Sequence, residues 1–277
     1  MKTAAADWDP DLYNRFRRYR AEPFESMLAR LQLNPDERIV DLGCGSGENT
    51  VELMRRGARG SALGIDSSPA MIAKANELAA SLGSELSPRL RFMAGDLRDF
   101  KANREYTLTF SNAAIQWISD HRGVLAACYE ALSPDGRLVF GVPSNEIETA
   151  QMSMQKLAHS ERWRDRLGAV SLPSLTVFSP DEYRRILNEL GFADIDCYYL
   201  IFKHPMKNPA EVIEWSRATS LRPFLGALSP EEQGSFLSDL LAMLEAGYGT
   251  RGPMTFTFRR LFMWARRPAG QQAPRRT

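Results

Sequence analysis

Asp41-Leu42-Gly43-Cys44-Gly45-Ser46-Gly47 stands between the short apolar run Ile39-Val40 and a segment whose Val51, Leu53 and Met54 recur at helical spacing. An apolar strand, a glycine-rich turn and an amphipathic helix form the local geometry in which backbone comes close to a nucleotide-like ligand. A second apolar run, Ser61 to Ile65, ends at Asp66. A carboxylate at that place can accept hydrogen bonds from both hydroxyls of a ribose. The dinucleotide spacing G-x-G-x-x-G fails in both registers, because Glu48 or Thr50 occupies the third glycine position. That glycine lets helix and strand pack closely in dinucleotide folds, so a nicotinamide cofactor is disfavoured.

Strand and helix signals alternate from there onward. Ala62–Ile65 reads as a second strand, and Ser67-Ser68-Pro69 supplies a cap and an N-terminal proline for a helix to about Leu82. Leu90–Met93 is a third strand, running into Gly95-Asp96-Leu97. Leu108–Phe110 is a fourth, ending at Ser111-Asn112-Ala113. His121–Leu132 reads as a helix, Ser133–Gly136 as a turn and Arg137–Phe140 as a fifth strand. Such alternation predicts an α/β fold, a mostly parallel sheet with helices on its faces. Ligands of such sheets bind beyond the carboxyl ends of the strands, where Asp41, Asp66, Asp96 and Asn112 all fall.

Outside this core, residues Pro10–Leu33 read as a helical segment that Pro23 divides into two pieces. A helix is expected over Glu148–Leu167, and another opens at Ser179-Pro180-Asp181-Glu182 and stops at Gly191. Strands over Cys197–Phe202 and Phe256–Ala265 bracket helices over Pro209–Ser220 and Pro230–Ala246. The expected division is an N-terminal helical cap (1–36), a core (37–143), a helical lid with late strands completing the sheet (144–268) and a disordered tail (269–277).

With 277 residues, 44% hydrophobic and 25% charged, the chain has the composition of an ordinary globular enzyme. Lys and Arg number 35 against 34 Asp and Glu, so bulk charge gives no case for a nucleic-acid partner. Arg15, Arg17 and Arg18 read as a solvated helix face. The three cysteines, Cys44, Cys128 and Cys197, are too scattered for a disulfide framework and fit a reducing compartment. Residues 1–6 are too short and polar for a signal-peptide core, and no run reaches the ~20 apolar residues of a membrane span. A cytoplasmic protein with no membrane and no obligatory protein partner is expected, and no metal-ligand cluster is evident.

The run D-x-G-x-G-x-G at Asp41–Gly47 is similar to the first motif of class I S-adenosylmethionine methyltransferases, and the resemblance covers roughly Arg38–Val142. Nearly the whole chain resembles one group of that class, the trans-aconitate 2-methyltransferases. That likeness is carried by Trp8–Tyr13 with Phe16 and Arg20, Asp66–Ala73, Gln116-Trp117 with Asp120-His121, Ala218-Thr219 with Leu221–Pro223, and Arg260–Phe262 with Ala265–Arg267. The segment Ser160–Val177 departs from the group in length and charge.

The resemblance implies a Rossmann-like, seven-stranded sheet with a helical insertion, S-adenosyl-L-methionine as cofactor and a small di- or tricarboxylic acid as substrate. It implies a cofactor site of Asp41, Gly43, Cys44, Gly45, Asp66, Ser67, Met71, Asp96, Leu97 and Asn112. Gly43 and Gly45 would pass the methionine portion, Asp66 the ribose, Met71 and Leu97 the adenine, and Asp96 its exocyclic amine. Asn112 would lie beside the sulfonium. Plain alternatives are a helix cap for Asp96 and core packing for Met71 and Trp117.

A carboxylate acceptor is anionic at neutral pH, so no residue is expected as an obligatory proton acceptor. Arginine suits the unreacting carboxylates because its planar fork binds them bidentately. Arg20, Arg222 and Arg260 are the candidates, with Tyr13, Gln116, Trp117 and His204 for hydrogen bonds or pocket walls. A malonyl-carrier methyltransferase, an NAD(P)-dependent oxidoreductase and a non-catalytic S-adenosylmethionine-binding protein are the competing readings.

Overall fold

The computed structural model describes residues 10–57, 59–170, 177–217 and 219–270, with side chains from residue 16 onward. Its contacts group into two units, each drawn from several stretches of chain. A sheet unit comprises residues 30–146, 173–201 and 259–277, and a helical unit comprises residues 1–29, 147–172 and 202–258.

The sheet unit is built on strands β1 (Arg38–Leu42), β2 (Ser61–Asp66), β3 (Leu90–Ala94), β4 (Tyr106–Asn112), β5 (Leu132–Pro143), β6 (Ala193–Met206) and β7 (Met254–Arg266). The last residues of β6 and the first of β7 belong to the helical unit. The sheet has seven strands in the order β3-β2-β1-β4-β5-β7-β6. β1 through β5 pair in parallel, and β7 joins β5 antiparallel, from Arg137 opposite Arg266 to Pro143 opposite Arg260. Central parallel strands lie under helices on both faces and therefore read as near-continuous apolar runs. Ile39, Val40, Leu42, Leu108 and Phe110 are accordingly fully buried.

Helix α1 (Pro10–Arg30) leads the chain. Between the strands come α2 (Glu48–Arg55), α3 (Pro69–Ala80) and α4 (His121–Ala131). After β5 come α5 (Thr149–Ala158), α6 (Arg164–Leu167) and α7 (Pro180–Glu189), and after β6 come α8 (Ala210–Arg217), α9 (Arg222–Gly226) and α10 (Pro230–Tyr248). Their boundaries follow local chemistry. The Ser68 hydroxyl accepts from Met71 N–H to start α3, and Ser179 with Glu182, like Ser229 with Glu232, closes a reciprocal capping box. Gly191, at φ 94°, ends the α7 segment.

Each unit has its own core. Val40, Leu42, Leu125, Leu138, Phe140, Tyr183 and Met263 belong to one cluster in the sheet unit. Phe16, Tyr19, Met154, Trp215, Phe224, Phe236 and Phe256 belong to another in the helical unit. Burying a side chain of this size contributes about 1.5–3 kcal/mol.

Several expected elements are corrected. Pro23 lies inside a continuous α1. The apolar stripe Phe16, Tyr19, Phe24, Met27 and Leu28 keeps its helical spacing across the proline, and all five are buried, so packing outweighs the missing N–H donor. The expected helix Glu148–Leu167 is interrupted after Ala158, where Ser160 caps back onto the Leu157 carbonyl and α6 follows. The stretch Ser133–Gly136 is an irregularity inside β5: Tyr106 pairs with Leu132 and Leu108 with Arg137, so these four residues bulge opposite Thr107. Asp135 takes φ 60° there. Arg222–Gly226 forms its own short helix, which the periodicity of Pro209–Ser220 did not indicate. The expected tail beyond Gly270 lies outside the described residues. Among the described residues, no helix is long and apolar enough to cross a membrane.

Candidate active site

The glycine turn is held in place from three sides. Gly43 and Cys44 N–H both donate to the Ile65 carbonyl, at 2.7 and 3.0 Å. The Thr50 hydroxyl of α2 donates to Asp41 Oδ2 at 2.6 Å, tying the end of β1 to the following helix. Ser111 Oγ on β4 donates to the Leu42 carbonyl at 2.7 Å. Gly43 sits at φ 77°, and a Cβ added there would stand 2.1 Å from the Ala114 Cβ, so the loop after β4 rests directly on the turn. A Cβ at Gly45 would meet nothing within 4 Å. The turn is open there, as a ligand passing along its backbone requires.

Asp66 ends β2 with its carboxylate turned to the same turn. Its Oδ2 accepts from Gly45 N–H at 3.0 Å and its Oδ1 from Ser68 N–H at 2.9 Å. Each carboxylate oxygen keeps acceptor capacity beyond these bonds, which suits two ribose hydroxyls. Asp41 is buried, and that burial, with Asp66 nearby, pushes its pKa up to about 7 against the lowering effect of Thr50. Burial drives the Cys44 thiol pKa upward as well, so this cysteine is a packing residue rather than a thiolate.

Asp96 follows β3. Its carboxylate accepts from Arg98 N–H at 2.8 Å, capping the short turn Leu97–Asp99, and from the Arg98 guanidinium. These bonds hold its pKa down at about 2. The cap expected as the plain alternative is therefore present, and Arg98 shares the oxygens that an adenine amine would use. Leu97 is buried, close to Gly43. Met71 and Trp117 are not core residues: they are 41% and 56% exposed. Ser67 is exposed beside Asp66.

Asn112 closes β4, and its side-chain oxygen accepts from Arg260 Nη2 at 2.5 Å. Arg260 is buried on β7, and that burial lowers its pKa to about 9, leaving it cationic at neutral pH. Gln116, also buried, donates to the Ala113 carbonyl at 2.7 Å. Asp41, Asp66, Asp96, Asn112, Gln116, Trp117 and Arg260 thus all belong to the sheet unit.

The remaining candidates belong to the helical unit. Arg20 is exposed on α1; its guanidinium lies 4.9 Å from the Trp215 ring centre and donates to the Trp215 carbonyl at 2.8 Å. His204 is fully buried, stacked on Tyr19 at 4.4 Å, and burial lowers its pKa to about 4. It is a neutral member of an aromatic cluster. Arg222 is exposed at the start of α9. The side chain of Tyr13 lies outside the described residues. Arg17 and Arg18 are exposed, as a solvated helix face requires. Sequence reasoning missed Thr50, Ala114 and Arg98, which act through contacts that only the folded turn creates.

A methyltransferase domain model matches residues 39–136. Trans-aconitate 2-methyltransferase of Streptomyces avermitilis is 35% identical over 97% of this chain and 100% of its own length. The Escherichia coli protein of the same name is 35% identical over 95% and 99%. Among solved structures, geranyl diphosphate C-methyltransferase from Streptomyces coelicolor superposes with a TM-score of 0.57 at 16% identity, over 96% of this chain and 86% of that one. That likeness establishes the shared fold. Sheet order, glycine turn and relatives together define an S-adenosylmethionine-dependent methyltransferase of class I. Within that class, the chain belongs to the family of the trans-aconitate 2-methyltransferases.

Proposed function

We propose that the chain transfers a methyl group to a carboxylate oxygen of trans-aconitate, forming a methyl ester. The near-full-length identity to trans-aconitate 2-methyltransferases carries this reading. Bound S-adenosylmethionine supplies an activated methyl group on a sulfonium. The residues of the chain then have to hold the acceptor in line and keep water away. A carboxylate needs no general base, in keeping with buried histidines whose pKa values are lowered.

Arg260 is the proposed principal clamp for an unreacting carboxylate. A guanidinium removed from water gains more from an incoming anion than an exposed one does, and this one is already oriented by Asn112 at the end of β4. Gln116 and Trp117 are proposed as polar and apolar contacts of the acceptor. Arg222 is the second proposed anion-binding residue, and Arg20 and Tyr13 are proposed as supporting contacts; His204, buried among aromatic rings, leaves the expected set of acceptor contacts. Asp66, Ser67, Met71, Asp96 and Leu97 are proposed to hold the nucleoside, and Asp41, Gly43, Cys44, Gly45 and Asn112 the methionine portion.

The test is methyl transfer from labelled S-adenosylmethionine to a panel of trans-aconitate, itaconate, citraconate and a malonyl thioester. Base-labile label on trans-aconitate is expected, at a higher kcat/KM than on the others. Label on the malonyl thioester with none on trans-aconitate would replace this reading.

A further inference from the structure

The loop Ala113–Asp120, between β4 and α4, carries Gln116 and Trp117 and has little regular structure of its own. Ala113 takes φ 61°, and only a short 3-10 turn, Ile115–Trp117, follows. Its start is anchored by Ala113 N–H to the Gly141 carbonyl at 2.7 Å, and Ala114 rests on Gly43. Its far end is the first residue of α4, His121, whose side chain is completely buried. The imidazole Nδ1 lies 2.6 Å from the hydroxyl of Tyr183 on α7, and the two rings stack within 8° of parallel. Phe178 closes the ring edge-on at 5.2 Å.

The backbone of Ile115 and Ile118, the residues that bracket Gln116 and Trp117, raises the imidazole pKa against the effect of burial, although the buried Nε2 makes no hydrogen bond of ordinary geometry. Tyr183 is itself fully buried, and the Phe178 backbone bonds to its hydroxyl oxygen. With that oxygen accepting from Phe178, the phenol proton is available to Nδ1 of a neutral imidazole. Burial lowers the His121 pKa, which favours the same state. A completely buried imidazole whose Nδ1 is engaged by Tyr183 is closed off from a substrate. It can fix the loop.

We propose that His121 and Tyr183 are positioning residues for methyl transfer, their hydrogen bond holding the Ala113–Asp120 loop in register with the end of β4. Two variants test this. Tyr183→Phe keeps the ring and removes the hydroxyl, whereas His121→Asn keeps a hydrogen-bonding atom near the place of Nδ1. Three quantities are read on the full chain: amide hydrogen exchange across residues 113–120 with S-adenosylhomocysteine present, steady-state methylation of trans-aconitate, and melting temperature. Tyr183→Phe is expected to speed loop exchange about tenfold and to lower kcat about tenfold, with KM for the cofactor within about twofold. His121→Asn is expected to bring both within about threefold of the parent.

Unchanged loop exchange in Tyr183→Phe overturns the proposal even if the melting temperature falls, because a merely structural bond predicts that pattern. Faster exchange with unchanged kcat overturns it too. Should Tyr183→Phe fail to fold, His121→Asn is compared with His121→Leu, and equal loop exchange in those two overturns it. The kinetic arm rests on the trans-aconitate reading. If the parent does not methylate that acid, the acceptor reading fails and the exchange result alone decides the loop.

Discussion

Arg260 reaches from β7 past β5 to Asn112 at the end of β4, with Nη2 and Oδ1 2.5 Å apart across 148 positions of sequence. The bond places a buried positive charge beside the strand end where the family resemblance puts methyl transfer. Lysine there would keep the charge and lose the planar fork that holds Asn112 and is proposed to grip a carboxylate as well. Arg260→Lys is therefore expected to raise KM for the acid about tenfold or more, since a bond to a charged group contributes about 1.5–3 kcal/mol. Cofactor affinity, read by calorimetry, should stay within about twofold. Acceptor kinetics like those of the parent would remove Arg260 from the site.

Asp66 supports the turn and is proposed to take the ribose, two tasks that different substitutions separate. Asn retains one acceptor for a backbone N–H, whereas Ala retains none. Asp66→Ala is expected to weaken S-adenosylmethionine binding about 100-fold, with Asp66→Asn between it and the parent. Parent-like affinity of the Ala variant in calorimetry would refute the ribose assignment.

Much of this was legible because parallel strands and the helices beside them announce themselves in apolar spacing. The four strand-end residues Asp41, Asp66, Asp96 and Asn112 could be placed from that pattern alone. The helical unit was less legible. Pro23 reads locally as a break, and only the buried side chains of Phe16, Tyr19, Phe24 and Met27 show why α1 runs through it. Asp96 had two equally local readings, and the side chain of Arg98, two residues on, settled which bonds the carboxylate makes here. Met71 and Trp117 carry apolar side chains that sequence assigns to a core as readily as to a ligand wall. In the fold Met71 is 41% and Trp117 56% exposed, which apolar spacing in the sequence does not indicate.

Asp41 makes stability depend on pH. Its folded-state pKa, about 7, lies above the unfolded carboxylate value of 3.8. Between those values the folded chain keeps a proton that the unfolded chain has released. Stability from this group is full below about pH 4 and declines through about pH 7, at up to roughly 1.4 kcal/mol per pH unit. Asp41→Asn can still accept the Thr50 hydrogen bond and does not titrate. Denaturant melts of the cofactor-free protein should show the variant gaining on the parent as pH rises from 4 to 7, with no further gain above. A constant difference across that range would show that Asp41 titrates normally.

Gly43 offers a separable test of the turn. Alanine there would have to hold φ 77°, which costs about 1–3 kcal/mol, and would drive its Cβ into Ala114, which adds about 1–3 kcal/mol. Gly43→Ala should therefore lower stability by roughly 2–6 kcal/mol and weaken cofactor binding together with it. Ala114→Gly on that background removes the collision and leaves the backbone strain. The double variant should recover the collision part, about 1–3 kcal/mol, in denaturant melts, giving a coupling that two independent sites would not show. Strict additivity of the two substitutions would mean that the loop after β4 does not rest on the glycine turn in solution.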